Sequence, residues 1–349
     1  MPEDIDLLSG RERSVLRAIV QDYIRTAEPV GSRTVVKRYG FSLSPASIRT
    51  IMSDLEEQGF VVSPHTSAGR IPTDKGYRAY VDALMDRAPL SREEVERIGQ
   101  KIPPSTKEPG ELLKEAGRLL AAISPYVVVA LAPRLQTTSF QRVELVSLAR
   151  DRVLVILLAD SGLVHHRTVA VDEPMSQDDL DRGARFLTEL MRGKTLGQVR
   201  DTLIAQMAEE KALYDKMLAQ ALRLGAEALQ GEAEDEMVVA GAAHIADQPE
   251  FADAAKMKAL FTAFEEKSRL VVILNECLSG RGCRVFIGRE LSLDDIQDAS
   301  LIASPYGRKD QGLGVVGVLG PTRMDYGRAL ALVETTAALL SRTPTDPAV

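Results

Sequence analysis

The sequence predicts an α+β protein of more than one domain: a winged helix-turn-helix at the N-terminus, then an α/β sheet domain interrupted by a mainly helical insertion. Three observations predict it. The first eighty or so residues read as three helices, a hairpin and a further helix. Strand-length apolar runs fall in two groups, at 126–171 and 284–319. Between them, 195–230 has an almost wholly helical pattern, rich in Ala, Leu, Met, Glu and Lys. A chain of 349 residues is long enough to bury two or three cores.

Ser9 opens the first helix as the cap of a Ser-Gly-Arg-Glu capping box, with Glu12 three residues on. Val15, Leu16, Ile19, Val20, Tyr23 and Ile24 follow on one stripe, and Glu28-Pro29 ends it. A second helix starts near Ser32, turns Val35, Val36 and Tyr39 inward, and closes at Gly40. Phe41-Ser42-Leu43 is a link of helix-turn-helix length. Ser44 caps the third helix, and Pro45 takes its first position, where a missing N–H costs nothing. Ile48, Ile51, Met52 and Leu55 form its buried face. Ser47, Arg49, Thr50 and Ser53 form its polar face, while Asp54, Glu56 and Glu57 are held to the far end.

A recognition helix enters the major groove by its N-terminal half, and neutral donors with one Arg there suit a polyanion. The same pattern suits an ordinary amphipathic helix with a solvated face. The next segment tips the balance. Gly59 ends the helix, Phe60-Val61-Val62 reads as a strand, 64–69 as a turn-rich loop, and Arg70-Ile71-Pro72 as a return strand, a hairpin where a wing belongs. His65, Thr66, Ser67 and Arg70 there can donate to phosphate or reach a minor groove. Thr73 then caps a fourth helix with Tyr77, Tyr80, Val81 and Leu84 inward. The expected DNA contacts are therefore Arg33 and Arg70 to phosphate, Arg49 to a base or phosphate, and Ser44, Ser47, Thr50, Ser53, His65, Thr66 and Ser67 around them.

The net charge of −7 argues against nucleic acid only until its distribution is read. Ser9–Arg78 holds eleven Lys/Arg against seven Asp/Glu, a surplus of four positive charges, while the chain from Ala79 on is acidic. The cationic surplus coincides with the expected reader.

Beyond it, Ser91–Lys101 and Glu111–Ile123 read as helices. Tyr126–Leu131, Gln141–Ser147, Val153–Leu158 and His165–Val171 read as strands of one antiparallel sheet, and Ser176–Arg192 as a helix. Met237–Ala240 is strand-like and Ala254–Leu274 helical. Strands return at Arg284–Ile287, Ser300–Ala303 and Gly314–Leu319, before a last helix over Tyr326–Leu340. On the helical block, Leu203, Met207, Tyr214, Met217 and Leu218 lie on a broad apolar stripe. Its Met and Tyr content suits a subunit interface, and burial against the chain's own sheet suits it equally.

Little else carries chemistry. His165 and His166 are adjacent on a strand and point to opposite faces, so they do not chelate one metal easily. Cys277 and Cys283 are too few for a disulfide framework or a zinc site. The glycines at 312–320 lack the Lys-Ser/Thr of a phosphate loop. No triad or carboxylate pair is indicated, so neither an enzyme nor a cofactor is expected. No uninterrupted apolar run reaches membrane-spanning length, and the acidic first ten residues do not read as a secretory signal. A reducing cytoplasm fits.

The wording of the N-terminal segment is more specific than its periodicity. Ser47-Ile48-Arg49, Met52, Leu55-Glu56, Gly59, then Pro-His-Thr-Ser-Ala-Gly-Arg-Ile-Pro-Thr (64–73) and Gly-Tyr-Arg (76–78) resemble the HrcA family of heat-inducible repressors. Ser-Pro-Tyr-Gly (304–307) and Gly-Val-Leu-Gly-Pro-Thr-Arg-Met-Asp-Tyr (317–326) extend the resemblance towards the C-terminal end. One departure is Thr50, where many members carry Asn. The resemblance implies a GAF-like sheet domain and an inserted dimerisation domain. The expected partition is 1–88 winged helix, 89–110 linker, 111–192 and 254–349 the two parts of the GAF-like domain, and 193–253 the insertion. It implies a homodimer on an inverted-repeat operator, repressing chaperone operons and kept active by the GroE chaperonin, in the cytoplasm and on the nucleoid when bound. A reading of a different class is a regulator whose GAF-like domain binds a small effector. Inward polar groups from 126–171 and 284–319 would favour it, and a filled apolar core would not.

Overall fold

The structure is a computed structural model of the chain. It describes residues 8–65, 69–86, 89–101, 109–132, 139–159, 164–171, 173–195, 198–199, 216–228, 237–266, 268–278, 282–291, 296–308 and 312–341.

The N-terminal unit opens with α1 (Gly10–Thr26), whose capping box is formed as the sequence predicts. Ser9 N donates to Glu12 at 2.7 Å, and Glu12 N donates back to Ser9 Oγ at 3.3 Å. Then follow α2 (Ser32–Tyr39), closed by Gly40 at φ 65°, and α3 (Pro45–Glu57). A two-residue-deep hairpin pairs β1 (Val61–Val62) with β2 (Ile71–Pro72), Val61 against Pro72 and Val62 against Ile71. Thr73 caps α4 (Asp74–Ala79), which runs on as a π turn over Tyr80–Leu84.

Next come α5 (Arg92–Lys101), α6 (Pro109–Ile123) and β3 (Val127–Leu131). They are followed by β4 (Phe140–Ala149), β5 (Arg152–Ala159), β6 (Val164–Ala170) and α7 (Gln177–Met191), then α8 (Lys216–Ala228) and β7 (Met237–Ala240). The remainder is α9 (Ala254–Glu266), α10 (Ser268–Leu278), β8 (Arg284–Ile287), β9 (Ala299–Arg308), β10 (Gly312–Pro321) and α11 (Tyr326–Leu340). The helical pattern expected over 254–274 is met by α9 and α10, on either side of residue 267, which lies outside the described residues.

The strands expected to form one sheet lie in two. A five-stranded antiparallel sheet has the order β7-β3-β10-β9-β8, and β4-β5-β6 form a three-stranded sheet of their own. The physical reason is visible in β3. All five of its side chains are buried, as in a central strand covered on both faces, whereas β5 alternates buried and half-buried positions, as in a sheet covered on one. Because β3 and β7 are direct neighbours, Val128 opposite Ala240 and Leu131 opposite Met237, the described elements between them in sequence, β4–β6, α7 and α8, form an insertion into the sheet. The expected partition is corrected accordingly: β4–β6 and α7 belong with α8 in the insertion, and β7 is an edge strand of the larger sheet.

Three cores follow. One face of the five-stranded sheet (Val128, Ala130, Ile302, Val316, Val318) packs on α6, α11 and the N-terminal unit in one continuous cluster. The other face (Val127, Val129, Leu131, Leu301, Ala303, Val315) packs on α9 and α10. The inserted sheet buries Val143, Leu145, Val153, Val155 and Leu157 under α7 and α8. Among the described residues no helix is long and apolar enough to cross a membrane.

Candidate nucleic-acid interface

The surface of interest is built on α3. Ile48, Met52 and Leu55 are buried and anchor it against α1 and α2. That fixes its opposite face, so Ser47, Arg49 and Thr50 stand in solvent on the N-terminal half. Ser44 is exposed too, but its hydroxyl serves the cap: Ser47 N donates to Ser44 Oγ at 3.1 Å, and the two hydroxyls are 3.0 Å apart. Thr50 is exposed, and its Oγ1 donates to Ala46 O at 3.4 Å, a long bond within the helix. Ser53 is half-buried on the flank. Arg33 is exposed on α2 and His65 at the end of the described hairpin. Neither Arg33 nor Arg49 meets a carboxylate among the described residues. Thr66 and Ser67 lie outside the described residues.

Arg70 differs from expectation. Its side chain is only 20% exposed and its Nη2 lies 2.6 Å from Glu56 Oε2, so it faces back into the unit rather than outward to phosphate. The physical reason is that the return limb is seated on the link between α1 and α2: Arg70 and Val30 exchange backbone hydrogen bonds of 2.9 Å, which sets the direction of the Arg70 side chain. Other supports went unseen in the sequence. Asp22 is buried on α1 and binds Arg25 and Arg38, each at 2.6 Å, tying α1 to the end of α2. The signal was there: Asp22 is three residues after Ile19, at an inward position of the stripe. Lys75 Nζ donates to Gln58 O at 3.2 Å and lies 4.5 Å over the Phe60 ring. Gly76 is required because a Cβ there would lie 2.1 Å from Phe60 O.

The two ends of the resemblance meet below this unit. Tyr77 and Tyr326 have ring centroids 5.9 Å apart. Burial pushes both phenols well above their ordinary pKa, and Tyr326 Oη donates to Thr322 O at 2.6 Å. Arg78 bonds Glu290 and Val285 O, and Arg289 N donates to the Asp74 carboxylate at 3.2 Å. Arg323 is paired with Glu250 and reaches Ile24 O at the end of α1 at 3.5 Å. The Gly-Tyr-Arg and Thr-Arg-Met-Asp-Tyr segments are therefore parts of a joint, not of the exposed face.

The helix stripe expected to form a subunit interface cannot be placed. Leu203, Met207 and Tyr214 lie outside the described residues. Met217 and Leu218 belong to α8, with side chains outside the description. His165 and His166 fall opposite Leu157 and Ile156 on β5, and so on opposite faces of the inserted sheet.

A model of the HrcA protein C-terminal domain matches residues 110–330. A heat-inducible transcription repressor HrcA of Geobacter sulfurreducens is 46% identical over 335 residues, covering 96% of this chain and 98% of its own. Those of Syntrophobacter fumaroxidans and Pelotomaculum thermopropionicum are 41% and 39% identical, each over at least 94% of both chains. A crystal structure described as that of a hypothetical protein aligns over 96% of each chain at 26% identity, with a TM-score of 0.58. On full-length identity with these repressors, the chain belongs to the HrcA family of heat-inducible transcription repressors.

Proposed function

We propose that this repressor reads DNA through a winged helix formed by its N-terminal unit. The observation that carries the reading is the charge order along α3. Ser47, Arg49 and Thr50 are exposed at one end, the carboxylates are gathered at the other, and one of those, Glu56, is neutralised by Arg70. In this reading α3 lies in a major groove, Arg49 contacts a base or phosphate, Arg33 and His65 meet the backbone, and the hairpin is the wing. Arg70 takes the role of a support. In vitro transcription from a promoter carrying the bound duplex tests this. The wild-type chain represses and Arg49→Ala releases transcription; repression by Arg49→Ala at the wild-type level would rule out α3 as the reader.

The reader acts as a homodimer on an inverted repeat, since two-fold symmetry in the protein calls for two-fold symmetry in the site. Supporting self-association through the inserted unit, its three-stranded sheet leaves Leu148 55%, Val164 52% and Val146 38% exposed. The five-stranded sheet with helices on both faces supports a GAF-like assignment for the body. Its two faces are apolar, which does not favour a small effector held within it. Dependence on the GroE chaperonin comes from the family alone. Refolding with and without chaperonin, followed by operator binding, tests it, and equal active fractions would exclude it.

A further inference from the structure

We propose that Glu56 is the positioning residue of the DNA interface, one carboxylate at the far end of α3 that fixes the angle between the reading helix and the hairpin. The proposal rests on the DNA-reading assignment above and deepens it. Glu56 holds both limbs of the hairpin at once. Its Oε1 accepts from Ser63 N at 2.9 Å just past β1, and its Oε2 meets Arg70 Nη2 at 2.6 Å just before β2. Arg70 Nε is buried with no acceptor, so the pair with Glu56 is what holds this charge in place.

The return limb of the hairpin is also held through its backbone. Arg70 and Val30 exchange backbone hydrogen bonds, and a Cβ on Gly69 would lie 2.4 Å from the Val30 carbonyl, so the return limb is seated on the link between α1 and α2. Glu56 adds the one side-chain tie that joins both limbs to the far end of α3 among the described residues. An unpaired carboxylate beside a phosphate-facing surface repels DNA, whereas the pair with Arg70 does not. Without Glu56, Arg70 becomes a free cation able to meet any phosphate, and the hairpin loses its aim. The signature of the role is therefore a trade: binding to any duplex rises while discrimination falls.

The test compares the wild-type chain, Glu56→Gln, Arg70→Gln and the double variant. The probes are the duplex that the wild-type chain enriches from a random pool and a scrambled duplex. Glu56→Gln keeps an amide oxygen for Ser63 N and is expected to melt near wild type. Its preference for the enriched duplex falls roughly tenfold, the size of coupling within one ion pair, while scrambled-duplex binding rises. In a hydroxyl-radical footprint, backbone protection by the hairpin is lost and protection beneath α3 stays. Arg70→Gln gives the same loss of preference from the other side of the pair, and the double variant is no worse than either. A merely structural role would lower the melting temperature and both affinities together. Wild-type preference in Arg70→Gln, or additive losses in the double variant, overturns the positioning role and leaves DNA reading standing. A wild-type chain that enriches no duplex removes the reading and the proposal with it.

Discussion

Arg78 on α4 and Glu290, in the turn after β8, form a two-point ion pair across the seam between the N-terminal unit and the five-stranded sheet. Arg78 Nε donates to Glu290 Oε1 at 3.0 Å, and the same guanidinium donates to Val285 O at 2.6 Å and to Asp82 at 3.2 Å. Three acceptors in different directions suit the planar fork of arginine and not a single ammonium. Arg78→Ala is expected to cost about 2 kcal/mol, the scale of lost hydrogen bonds to a charged group, and Arg78→Lys to recover little of it. Urea unfolding measures both. A lysine variant as stable as wild type would show that the seam does not depend on this geometry.

Arg49 and Arg70 are expected to separate cleanly. Arg49 is exposed and carries no packing, so Arg49→Ala should leave the melting temperature unchanged while weakening operator binding by about 1–3 kcal/mol. Arg70 is inside an ion pair, so Arg70→Ala should lower stability as well as alter binding. Paired melting and titration curves decide it. Equal behaviour of the two variants would contradict the inward placement of Arg70.

Gly76 tests the packing of α4 on the end of α3. A Cβ placed 2.1 Å from Phe60 O forces backbone to move, and Gly76→Ala is expected to destabilise by about 2 kcal/mol or more even though alanine favours helix. A neutral or stabilising alanine in thermal unfolding would contradict the close approach.

Glu94 carries an acid dependence. The Ser91 backbone N–H, then Arg328 at 2.8 Å and the Ser91 hydroxyl, hold its carboxyl down to about 2 from an ordinary 4.5. A depressed carboxyl stabilises fully above its unfolded value and loses that contribution as pH falls through the folded one. The tether of α5 to α11 should therefore be constant from neutral pH to about 4.5 and weaken from there to about 2. Glu94→Gln should flatten that leg of an acid unfolding curve. An unchanged slope would remove Glu94 from the account.

Local chemistry was legible and long-range pairing was not. Ser9 with Glu12, Ser44 with Pro45, Thr73 and Gly40 marked helix ends that the structure keeps, because a cap is decided by residues three or four apart. The run at 126–131 and those at 141–171 looked alike as apolar strands. Their membership of different sheets depends on the partners β7 and β10, more than a hundred residues away. Arg70 read as a free cation because Glu56, its partner, lies fourteen residues back on another element. The motif residues Tyr77, Arg78, Arg323 and Tyr326 read as part of a family pattern, and only the fold shows that they meet at one seam.

The central claim is that α3 and the hairpin of two copies read symmetric DNA. Selection from a random duplex pool by the purified full-length chain tests it most directly. The account predicts enrichment of an inverted repeat with a fixed spacer, weakened in Arg49→Ala. Enrichment of no sequence, or of a single asymmetric site, would contradict it.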